Sequence, residues 1–121
     1  MKPILFLIDT GSPWTVISPY DALQLNIPTR VLTPAEDYAT ILLAGNSFMR
    51  LLLDNVGLRV KNEKGKVSQF NLSSIGILYP PKKASSKQFK GISSILGTDF
   101  LNSKKLGLYF NPSKNEAYLS K

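Results

Sequence analysis

Two stretches decide how this chain of 121 residues reads: Phe6-Leu7-Ile8-Asp9-Thr10-Gly11-Ser12 near its start and Ile95-Leu96-Gly97-Thr98-Asp99-Phe100-Leu101 near its end. In the first, the apolar run Ile4 to Ile8, suited to a strand buried on both faces, stops at an acid. The polar break Asp9-Thr10-Gly11-Ser12-Pro13 then sets a carboxylate at a strand end, a hydroxyl beside it, and a glycine that tolerates backbone angles other residues avoid. This presents an acid on a tight loop. Taken alone, the same pattern describes a turn whose Asp caps its own backbone. In the second stretch an apolar pair meets a glycine, and Thr98 is placed to cap a short helix from Asp99 to Lys104.

Outward from these stretches, short apolar runs alternate with Gly, Pro, Asn and Ser, which predicts an all-β domain with one or two short helices. Thr15 to Ser18 is a second strand. Ser18-Pro19-Tyr20-Asp21 offers a capping hydroxyl, a proline at the first helical position and an acid in the first turn, so a helix runs to Leu25 and ends at Asn26 and Pro28. Tyr38 to Asp54 has two apolar arms around Ala44-Gly45-Asn46-Ser47 and reads as a long hairpin with a glycine-containing tip. Val56 to Val60 and Lys66 to Leu72 form a further hairpin, with a phase slip at Val67 that suggests a bulge, and Ile75 to Tyr79 is one more strand. Pro80 to Gln88 is a mobile surface loop by composition, and Leu106 to Lys121 closes the chain as a hairpin turning at Asn111 to Asn115. No repeat or linker divides residues 1–121, so a single domain is expected.

Composition removes most hydrolytic chemistries. With no His and no Cys there is no Ser-His-Asp triad, thiol nucleophile, disulfide or ordinary zinc site, so acid and base work falls to the eight carboxylates or to a shifted Lys or Tyr. No apolar run reaches the ~20 residues needed to span a bilayer, and the opening run is too short for a signal peptide, so the mature chain is expected to begin near Met1. Absence of cysteine fits a reducing cytosol. The formal charge is +7, with no acid between Glu63 and Asp99 while Lys64, Lys66, Lys82, Lys83, Lys87 and Lys90 all fall there; a solvated, solubilising surface is the plainest reading.

The order of the features (Asp9-Thr10-Gly11-Ser12 early, a glycine-tipped hairpin centrally, Ile95-Leu96-Gly97 late) resembles the retropepsin-like aspartic proteases over nearly the whole chain. The resemblance implies the retropepsin-like acid protease fold acting as a homodimer. It makes Asp9 the catalytic carboxylate, Thr10 a hydroxyl bracing the paired loops and Gly11 the close-approach position beside the water. Ser12 matches the form common in cellular members. Gly45, Asn46, Ser47 and Phe48 become the flap tip and its substrate contacts, while Ile95, Leu96 and Gly97 form the element that threads the loop before a helix.

One such motif is half a site, because Asp21, Asp54 and Asp99 are not followed by Thr-Gly or Ser-Gly. The second acid must come from another copy, across a C2 axis. The implied substrate is a peptide in extended conformation, with no metal and no organic cofactor. Asp99 reads as structural, near the start of its helix. Trp14 is either core or pocket lining. Family members carry a further strand upstream of the catalytic one; here the carboxy-terminal hairpin is expected to supply the dimer pairing. Pro13 and Thr98 occupy the places where viral members keep an ion pair.

Two competing functions come from other classes. One is a catalytically silent module of the same fold, serving dimerisation or peptide binding. The other is nucleic-acid binding through the basic middle, where Phe70, Tyr79 and Phe89 intersperse the lysines; this is disfavoured. Glu36 and Asp37 are adjacent carboxylates without spaced partners, a poor magnesium signature.

Overall fold

The computed structural model describes residues 4–34, 40–43, 45–61, 64–80, 86–111, 113 and 116–120, and over them the protein is mostly β-sheet with a few short helices. The strands are β1 (Phe6–Ile8), β2 (Val16–Ile17), β3 (Thr33–Pro34), β4 (Thr40–Leu43), β5 (Asn46–Lys61), β6 (Val67–Tyr79), β7 (Ser94–Leu96), β8 (Gly107–Asn111) and β9 (Glu116–Ser120). The α-helices are α1 (Pro19–Gln24) and α2 (Thr98–Ser103), with 3₁₀ turns at Thr29–Val31 and Ser86–Phe89. Seven strands form one sheet in the order β1-β7-β2-β6-β5-β3, with β4 also paired to β5, and β8 and β9 form a separate antiparallel pair.

Strand β7 arrives late in the chain yet lies between the first two. It runs parallel to β1, with Ile8 opposite Leu96, and antiparallel to β2, with Val16 opposite Ile95. The loop that joins β1 to β2 must therefore pass over the end of β7. This topology positions the site described below.

Three expectations about strands are corrected. The run Ile4 to Ile8 is not buried on both faces: β1 is an edge strand, Leu5 is 90% and Leu7 56% exposed, and only Ile4, Phe6 and Ile8 pack against the core. A strand at the end of a sheet has one covered face, so its apolar continuity is no guide to burial there. The central hairpin does not end at Asp54, because β5 continues unbroken to Lys61 and β6 is likewise continuous from Val67 to Tyr79. There is no bulge at Val67. The β5–β6 register stays in step from Met49 opposite Tyr79 to Lys61 opposite Val67, and Val67 simply faces solvent.

The phase change lies elsewhere. Asn55 takes φ 56°, in the left-handed region. Across it the inward face switches, so that Leu53 and Val56 on β5, and Ile75 and Leu72 on β6, all pack on one core cluster. That single twist lets one long ribbon serve two parts of the core: Leu53, Ile75 and Ile77 on Ile17 and Ala22, and Leu58 and Phe70 on Leu96, Phe100 and Leu101.

Helix α1 forms as its sequence dictates. The Ser18 hydroxyl accepts from Asp21 N, Pro19 occupies the first turn, and Asn26 ends the segment at φ 55°. Helix α2 starts one residue earlier than expected, with Gly97 as its cap residue and Thr98 already inside; its Thr98 hydroxyl is used on another loop. The tip of the β4–β5 hairpin is also tighter than expected, since Leu43 pairs with Asn46 and only residues 44 and 45 turn, with Gly45 at φ 79°. Residues 38, 39 and 44 lie outside the described residues, as do Glu36 and Asp37, most of the expected 80–88 loop (81–85) and part of the 111–115 turn (112, 114 and 115).

Candidate active site

The geometry around Asp9 follows from the threading of β7. Asp9 N continues the strand by donating to Leu96 O at 3.0 Å, and the chain then turns, Ser12 N donating to Asp9 O at 3.1 Å. Gly11 N donates to Asp9 Oδ1 at 2.9 Å, so the carboxylate is oriented by its own loop. Asp9 is half-buried while Thr10 and Gly11 are exposed. This is an acid aimed outward at a loop crest, with its stem held by the sheet.

Gly97 passes through the loop. Thr98 N donates to Ser12 O at 2.8 Å and the Thr98 hydroxyl adds a 3.3 Å bond to the same oxygen. A Cβ on Gly97 would lie 2.5 Å from Trp14 O and 2.7 Å from Ser12 O, so only a glycine fits where the two backbones cross. The loop is thus clamped from within. Ile95 and Leu96, both buried, carry the passing strand.

A second clamp comes from residues that sequence reading did not single out. Thr15 donates to Asp99 twice, from N to Oδ2 at 3.1 Å and from Oγ1 to Oδ1 at 2.7 Å, while Thr15 Oγ1 accepts from Gly97 N at 3.0 Å. Asp99 Oδ1 also accepts from Phe100 N at 2.7 Å, at the start of α2. Asp99 is structural, as expected, and Thr15 is its partner. Similarly Ser94, fully buried on β7, accepts from Ser18 N at 2.9 Å and donates to Asp21 Oδ2 at 2.6 Å, tying α1 to the threading strand. Nothing local marks Thr15 or Ser94, because their partners lie far away in the chain.

Of the four residues expected at the hairpin tip, Gly45, Asn46 and Ser47 are exposed, but Phe48 is not: it is wholly buried among Val16, Leu78 and Ile95, its ring edge-on to Phe89 at 4.9 Å. The side chain of Phe48 cannot line a surface for substrate from there. The reason is strand alternation, which turns Phe48 inward between outward Ser47 and Met49. Trp14 packs against the same cluster with the Arg50 guanidinium over its ring at 4.9 Å.

The aromatic residues of the basic middle are likewise engaged. Phe70 meets Phe100 edge-on at 5.3 Å, Phe89 meets Phe48, and Tyr79 packs on the α1 side of the core. Bases would find few free rings to stack on. Among the described residues no group of three or more His, Cys, Asp or Glu could hold a metal ion, and no helix is long and apolar enough to cross a membrane. No protein-family model matches the chain, and no curated protein matches it.

Proposed function

We propose that the protein is a retropepsin-like aspartic endopeptidase of the cytosol, assembled as a homodimer in which two Asp9 carboxylates share one proton across a C2 axis. The observation that carries this reading is the clamped loop: an outward, half-buried Asp9 oriented by Gly11 N, on a crest locked by the passage of Gly97. A loop whose only task was to turn the chain would not need a buried strand run through it. Exposure of Thr10 and Gly11 in the single chain leaves the crest open to a second copy.

In the proposed reaction, the ionised Asp9 takes a proton from water as its oxygen attacks the scissile carbonyl carbon, and the protonated partner gives its proton to the carbonyl oxygen. Collapse of the tetrahedral intermediate breaks the C–N bond, and the proton taken from water passes to the departing amine. Electrostatic sharing between two close carboxylates supplies both roles without any other titrating group. The substrate lies as an extended strand between the loop floor and the β4–β5 hairpin, its main chain giving affinity and its side chains selectivity.

The test is cleavage of a mixed peptide library across acid and neutral pH by the wild-type chain and by Asp9→Asn, with the solution mass measured alongside. The proposal expects a dimer, and a loss of about 10³-fold or more in kcat for the variant at unchanged thermal stability. Peptide binding without cleavage at any pH would assign the chain to the silent, peptide-binding class instead. A monomer that still cleaves would refute the shared site.

A further inference from the structure

The β4–β5 hairpin is a cantilever. Strand β6 supports β5 only as far as the pair Met49–Tyr79, and from there to the tip β5 is paired with β4 alone, Phe48 opposite Ile41 and Asn46 opposite Leu43. Beyond the last supported pair, the first inward side chain is Phe48. It is wholly buried, while Asn46, Ser47 and Met49 around it are exposed. Its neighbours come from three separate elements, Val16 of β2, Leu78 of β6 and Ile95 of β7, and Phe89 of the 86–89 turn closes over it edge-on.

The same inner face of β5 reaches the loop that carries Asp9. Arg50 lies over Trp14, Trp14 packs on the Phe48 cluster, and Trp14 O accepts from Ser12 Oγ at 2.9 Å within the loop. Resting on the proposed reading of this hairpin as the element that closes over substrate, we infer that Phe48 is the pin that holds the hairpin down beside the Asp9 loop, a positioning residue and not a substrate contact. Its side chain sets where Gly45, Asn46 and Ser47 stand. Withdrawal of the ring from its pocket is the step that lets the tip lift, with the bend at Met49 where sheet support ends.

The experiment is residue-resolved hydrogen exchange on the full chain and on Phe48→Ala, Phe48→Leu and Phe89→Ala. In Phe48→Ala the amides of residues 46 to 48 are expected to exchange about 100-fold faster, the local counterpart of losing a buried aromatic side chain, while Leu51 to Leu53 and Ile75 to Leu78 stay within about threefold. Phe48→Leu restores most of the protection. Phe89→Ala, which removes only the edge contact, gives a smaller rise at the same amides, and it carries the test if Phe48→Ala does not fold. Equal acceleration of tip and core, or none at the tip, overturns the inference. Exchange needs no catalysis, so the pin stands or falls apart from the protease reading. Where cleavage is found, KM in Phe48→Ala is expected to rise about tenfold with kcat within about threefold, since a loosened cover weakens binding of ground state and transition state alike.

Discussion

Replacing Gly97 by alanine tests whether the crossing of β7 and the Asp9 loop is as tight as it is drawn. The added Cβ would stand 2.5 Å from Trp14 O, 2.7 Å from Ser12 O and 2.7 Å from Trp14 C, all main-chain atoms with no rotamer by which to retreat. Ordinary contact needs about 3.5 Å, so the two backbones must part by about 1 Å. That separation takes the Thr98 N–Ser12 O bond of 2.8 Å and the Gly97 N–Thr15 Oγ1 bond of 3.0 Å beyond useful range. Overpacking of this kind costs about 1–3 kcal/mol and each lost bond about 1 kcal/mol, so about 3–5 kcal/mol is expected in all. Urea unfolding followed by circular dichroism at fixed protein concentration measures it, the concentration being held because a dimer couples stability to it. Two further glycines serve as controls. Gly91→Ala meets nothing within 4 Å and should stay within about 0.5 kcal/mol, whereas Gly45→Ala meets nothing either but carries φ 79° and should cost about 1 kcal/mol. If Gly97→Ala costs less than Gly45→Ala, the loop is not threaded in the way described and the orientation of Asp9 loses its explanation.

Three other substitutions separate stability from chemistry. Gly11→Ala would place a methyl group 3.2 Å from Asp9 Oδ1, so peptidase activity is expected to fall tenfold or more, in order-of-magnitude terms, while the melting temperature moves by only a few degrees; intact activity would deny Gly11 its place beside the carboxylate. Ser94→Ala strips an acceptor from Ser18 N and a donor from Asp21 in a buried setting, and chemical unfolding should register a loss of about 2 kcal/mol. Thr15→Val keeps the shape but removes the hydroxyl that bonds Asp99 and Gly97 N; about 2 kcal/mol is expected in the same assay, with the Thr15 N–Asp99 bond surviving.

What the sequence made legible was local. The Ser18-Pro19 start of α1 could be read because a cap and its helix lie within four residues, and the glycine turn of the hairpin because two residues decide it. Long-range facts were not available that way. The exposure of Leu5 and Leu7 depends on β1 having no neighbour on one side, which no run of apolar letters encodes. The unity of β5 depends on Asn55 accepting a left-handed conformation inside a strand, where composition argues for a break. Phe48 could be placed on the hairpin but not on its inner side, because burial there is decided by Phe89, Leu78 and Ile95 from later in the chain.

Asp9 and Asp99 show why the candidate site had to be completed in three dimensions. Each follows an apolar segment that ends in a polar turn, and by sequence alone either could be the acid that matters. Their hydrogen bonds divide them. Asp99 spends both oxygens on Thr15 N, Thr15 Oγ1 and Phe100 N, so its charge is committed to holding two loops together. Asp9 takes a single main-chain donor from its own loop, Gly11 N, and stands at a crest whose neighbours Thr10 and Gly11 face outward. A carboxylate that must exchange protons with water and a partner needs open lone pairs and a fixed stem, and a carboxylate that must brace needs the reverse. The network around Asp99 supplies the fixed stem for Asp9: Thr15 ends the Asp9 loop, and the hydroxyl that bonds Asp99 also receives Gly97 N as it passes through. The rigidity demanded of one acid is therefore provided by the other, and disturbing Asp99 should reach Asp9 through Thr15 and Gly97 without touching it.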